Sequence, residues 1–74
     1  MKQPISGLRL KKLIEHSKIK LIYIEEEINY ADTSITYDMW EISKKRILAL
    51  IKPDNIYYIV MADNDTTIII VNFD

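Results

Sequence analysis

Three runs of this chain carry the residue types that do chemistry. Glu25, Glu26 and Glu27 are consecutive carboxylates, Asp63, Asn64 and Asp65 are oxygen donors in a row, and His16 is the single imidazole. Two carboxylates act as acid and base when they are held across a cleft with separated pKa values. Adjacent acids point in diverging directions, so the glutamates read as a solvated face. A transition-metal cluster needs several imidazole or thiolate ligands, and with one histidine and no cysteine no metal site is expected. His16 reads as a surface residue near the end of the first helix, where positive charge suits the helix dipole. The Asp-Asn-Asp run has calcium-ligand types but lacks the calcium loop with its later glutamate, and a hairpin turn accounts for it. Ser6, Ser17, Ser34 and Ser43 belong to no nucleophile motif, and the lone Gly7 cannot form a phosphate cradle. The chain is therefore read as non-enzymatic, with no catalytic residue and no cofactor.

The elements that would position any site are dominated by Ile56 to Phe73. Two runs rich in Ile, Val, Tyr and Phe flank a short Asp/Asn segment, the pattern of an antiparallel β-hairpin. Alternation puts Ala62 opposite Thr67, Val60 opposite Ile69, Tyr58 opposite Val71 and Ile56 opposite Phe73 on one face. The other face holds Tyr57, Ile59, Met61, Ile68, Ile70 and Asn72 and is nearly as apolar, so the hairpin needs cover on both sides, from the chain's own helices or from a second copy. An isolated hairpin is marginal in water. Upstream, Ser6 is placed to cap an N-terminal helix whose Leu10, Leu13, Ile14 and Ser17 form a stripe, flanked by Leu8. A second helix carries Ile47, Leu48, Leu50 and Ile51 on one side and Lys44, Lys45 and Arg46 on the other, and ends before Pro53. Residues 19–42 are ambiguous: β-branched density favours a strand pair, the glutamates favour a helical hairpin, and strand is preferred for the first half. The fold class expected is α+β, in a single domain over residues 1–74.

Seventy-four residues make a thin core, which oligomerisation would supplement. The start of the chain lacks the apolar run of a secretory signal, and no stretch approaches the length of a membrane span. No membrane association is expected, and a cytoplasmic setting follows as the default. Charge falls in blocks: residues 1–20 carry six bases against Glu15, residues 21–43 six acids and no base, residues 44–52 four bases, and residues 53–74 four acids. Such blocks either mark partner surfaces or meet each other across one small fold.

Residues 19–37, IKLIYIEEEINYADTSITY, resemble the helix-turn-helix of small phage-type repressors of the Cro and C1-like group. Ile24, Ile28, Tyr30 and Ile35 stand at the motif's core positions, and Asn29 stands at its turn. The resemblance implies that Thr33, Ser34, Thr36 and Tyr37 begin a recognition helix in a regulator of phage or plasmid type, and the flanking Lys11, Lys12, Lys18, Lys20, Lys44 and Lys45 would add to a DNA footprint if the fold brings them together, with Lys44 and Lys45 the expected contacts. Glu25 and Asp38 depart from the motif. DNA affinity also rests heavily on contacts with phosphates, and the acidic block at residues 21–43 opposes them.

Seven aromatic residues, among them Tyr37, Trp40, Tyr57, Tyr58 and Phe73, are many for so short a chain, and Tyr and Trp suit interfaces. The reading that results is a small, regulatory, protein-binding homodimer whose interface is Tyr57, Ile59, Met61, Ile68 and Ile70. A sequence-specific DNA-binding regulator is the alternative.

Overall fold

A computed structural model describes residues 1–29, 35–71 and 73. The elements in chain order are β1 (Gln3–Ser6), α1 (Gly7–His16), β2 (Leu21–Asn29), β3 (Ile35–Glu41), α2 (Lys44–Leu50), β4 (Ile56–Ala62) and β5 (Thr67–Val71). The strands form one mixed sheet in the order β1-β4-β5-β2-β3, in which β2 and β5 run parallel and the other neighbours antiparallel. The α+β class holds, but its details differ from the sequence reading. The chain opens on a strand, and the β4–β5 pair lies inside the sheet, with β1 on one side and β2 on the other. The ambiguous centre is a strand pair rather than a helical hairpin.

Each helix begins at a serine cap. Ser6 Oγ accepts from the Arg9 amide and Ser43 Oγ from the Arg46 amide, both at 3.2 Å, which satisfies one of the amide donors that every helix start leaves open. On α1, Gly7, Leu10 and Ile14 are buried while Leu8 stays exposed. On α2, Ile47 is buried, Ile51 follows as the C-cap, and Leu50 is left in solvent.

Topology decides which side of the sheet the helices cover. The β1-α1-β2 crossover moves across the sheet one way and β3-α2-β4 moves back the other way, starting from strands of opposite direction. Right-handed crossovers then place both helices on the same side. Leu10, Ile14, Ile47 and Ile51 pack there with Ile22, Ile24, Tyr57, Ile59, Ile68 and Ile70 in one core. The opposite face of the sheet has no helix over it among the described residues.

The β4–β5 turn holds Asp63, Asn64 and Asp65 at φ of 52°, 56° and 64°. Asx residues enter this left-handed region more readily than others. The Asp63 carbonyl accepts from the Thr66 amide at 3.2 Å and from its hydroxyl at 2.7 Å, and the Thr67 hydroxyl donates to the Asp63 carboxylate at 3.2 Å. Cross-strand pairing runs from Ala62–Thr67 to Tyr58–Val71. Beyond it β5 ends, and Phe73 does not face Ile56 but stacks on Tyr57, ring centroids 5.3 Å apart.

Candidate interaction surfaces

The residues assigned to an interface from sequence lie in the core of a single chain. Tyr57, Ile59, Ile68 and Ile70 are at most 4% exposed, and Met61 is half-buried against the same cluster. They occupy the helix side of the sheet, so α1 and α2 supply the shelter that the sequence reading sought from a second copy. Tyr57 also has its polar end engaged: its hydroxyl accepts from the Lys52 amide at 2.8 Å.

The other side is the one that no helix covers among the described residues, although Val71 and Thr67 on it are buried. Residue alternation and the strand registers bring Ile56, Tyr58 and Val60 of β4, Ile69 and Val71 of β5, Leu21, Tyr23, Glu25 and Glu27 of β2, and Tyr37, Met39 and Glu41 of β3 onto it. Ile56, Tyr58, Tyr37 and Met39 are each 47% exposed or more, and Val60 and Ile69 are half-buried. A groove of about 540 Å3 on this face is lined by Lys2, Glu25, Glu27, Tyr37, Val60, Ile69 and Val71. Sequence alternation does place Tyr58, Val60, Ile69 and Val71 together. It does not say which of two apolar faces the helices take.

The DNA contacts implied by the repressor resemblance are dispersed. Thr36 and Tyr37 lie on the exposed strand β3 rather than at the start of a helix, Thr33 and Ser34 fall outside the described residues, and Lys44 and Lys45 are exposed in the first turn of α2. Arg9 and Lys12 are exposed on α1. Among the described residues, no group of three His, Asp or Glu side chains is placed to hold a metal ion, and no helix is long and apolar enough to cross a membrane.

No family model, curated protein or solved structure matches the chain. The surfaces must therefore be read from their own chemistry.

Proposed function

We propose that the chain is a small protein-binding module, regulatory in role, that acts as a homodimer joined through the open face of its sheet. The observation that carries this reading is the uncovered apolar face itself, because contiguous exposed apolar surface on a small protein marks an interaction site. The strand registers favour a second copy as the occupant. One row across the face, extended by one position at β1, reads Lys2, Val60, Ile69, Tyr23, Glu41, and the next reads Pro4, Tyr58, Val71, Glu25, Met39. A two-fold axis along the central strand β5 reverses each row onto itself. Lys2 then meets Glu41 of the partner subunit, Val60 meets the partner's Tyr23, and Ile69 meets the partner's Ile69. Such an interface is isologous and closes at two copies.

The face is modest in size. Five strands about 4.8 Å apart and roughly six residues long give roughly 400 Å2 a side, or about 800 Å2 in total, which is below the usual range of stable specific interfaces, so a weak dimer with a Kd on the order of tens of micromolar is expected. Sedimentation equilibrium from about 5 to 200 micromolar tests it. Wild type should pass from one chain to two over this range, and Ile69→Lys should stay folded and monomeric. Ile70→Lys, which puts a charge into the core, should unfold. A folded wild type that keeps the mass of one chain throughout would sink the proposal.

The DNA-binding alternative draws on the exposed bases of the helix side, Arg9, Lys12, Lys44, Lys45 and Arg46. Submicromolar binding of duplex DNA near 0.15 M salt, weakening steeply as salt rises, would favour it over the protein-binding reading.

A further inference from the structure

We infer that the outer edge of β3, which no other strand covers among the described residues, is a docking site for a lysine- or arginine-bearing extended segment of another protein, added to the sheet as a sixth strand. The Ile42 amide donates to the Ile22 carbonyl at 2.9 Å. Along an antiparallel ladder this direction alternates, so Thr36, Asp38 and Trp40 turn their amides and carbonyls toward β2, while Tyr37, Met39 and Glu41 turn theirs outward. Edge strands are normally blunted by shortness, proline, lysine or a bulge. At the opposite edge, β1 has four residues and contains Pro4. In contrast, β3 has seven residues, no proline and no lysine, and pairs with β2 in unbroken register.

Charge selects the occupant. Glu25, Glu27 and Glu41 lie on the open side of the β2–β3 pair and Glu26 and Asp38 on the helix side, and no base occurs in residues 21–43. An added strand points alternate side chains to the two sides and meets acids on both. Pairing with a second β3 would set these five carboxylates against five more, which excludes another copy of this chain. Beside the edge, on the helix side, a groove of about 450 Å3 is lined by Ile24, Glu26, Trp40, Glu41, Arg46 and Leu50, with Phe73 and others completing it. The apolar walls suit the aliphatic stem of a long basic side chain, and the Trp40 ring and the Glu26 carboxylate on the same side suit its cationic head.

Trp40 is the sole tryptophan and stands at the edge, so it reports directly. The probe is a short synthetic peptide of alternating lysine and valine, with a glutamate-valine peptide as counterpart. The lysine peptide should give a saturable change in Trp40 emission, with affinity falling about fivefold or more between about 50 and 300 mM salt. Hydrogen exchange should slow at the amides of Tyr37, Met39 and Glu41. Met39→Pro removes an outward amide without touching the ladder to β2, so it should abolish binding while leaving the far-UV spectrum and thermal unfolding near wild type. Ile69→Lys, which separates this edge from the proposed dimer face, should bind the peptide as wild type does. Equal binding of the glutamate peptide, protection located away from β3, or unaltered binding by Met39→Pro would each overturn the inference. So would an absence of peptide binding, since the acids would then serve only to keep the edge from pairing with itself. Should Met39→Pro fail to fold, the exchange pattern on wild-type protein decides alone.

Discussion

Gly7 marks a close approach of two segments of the fold. Its amide donates to the Asn55 carbonyl at 2.7 Å, and the next amide, Leu8, donates to Pro53 at 3.2 Å. A Cβ at position 7 would overlap the Lys52 carbonyl and reach 3.0 Å from the Pro53 Cα. These obstacles are backbone atoms and have no rotamer to escape into. Gly7→Ala should therefore lift the start of α1 away from residues 52–55 and cost about 2 kcal/mol or more, measured as a lower urea midpoint with an unchanged slope. Alanine is the better helix former by about 1 kcal/mol, so a stabilised variant would show that the contact is loose. From sequence, Gly7 read only as too little glycine for a phosphate loop. The need for it arises from a contact between residues 45 positions apart in the chain, which no local pattern displays.

At the level of elements, α2 contains a conflict that its sequence already shows. Lys44, Lys45 and Arg46 follow the Ser43 cap directly, putting three cations at the positive end of the helix dipole, where acids are preferred. Burial of Ile47 and Ile51 holds the helix in spite of this. Lys44→Glu together with Lys45→Glu should raise stability by about 0.5–1.5 kcal/mol at low salt, with the gain shrinking at high salt. Thermal unfolding at two ionic strengths checks it, and a loss of stability at low salt would mean that these lysines are needed by the acidic β2–β3 end of the molecule.

The same scale shows where sequence patterns suffice. The Ser6 cap, the Ile47–Ile51 spacing and the stop before Pro53 are local, and so they can be read directly. Strand β1 hides in Gln3–Ser6, where Pro4 discourages a strand assignment and Ser6 serves both as the strand's end and the helix cap. The parallel β2–β5 pairing is non-local. Once β5 buries Ile68 and Ile70 between two neighbours, Ile22 and Ile24 complete that layer as a strand, and tertiary packing settles a choice that propensity left open.

For the whole molecule, two crossovers that run in opposite directions between oppositely directed strands make a one-sided protein. One side of the sheet is filled by α1 and α2, and the other presents aromatic and aliphatic residues with Lys2 at the β1 end and acids at the β2–β3 end. The apolar identity of both hairpin faces was legible in the sequence, but assigning the helices to one of them required the strand order, and for that reason the residues expected from sequence at an interface lie in the core under the helices. The polarity of the bare face leads to a test of the dimer's geometry that is separate from its existence. In the two-fold arrangement, each Lys2 faces Glu41 of the partner subunit, so two such pairs form per dimer. Pairs at a wet rim are worth roughly 0.2–1 kcal/mol each, and reversing one partner replaces attraction with repulsion. Lys2→Glu or Glu41→Lys alone should therefore weaken dimerisation by about 1–2 kcal/mol, roughly five- to thirty-fold in Kd. The double swap should restore most of the wild-type affinity, and salt should flatten all these differences. Sedimentation of the four proteins at two salt concentrations closes the cycle. If the double variant is as weak as the two single losses added together, Lys2 and Glu41 do not meet, and the copies pack with the axis across the strands instead of along them.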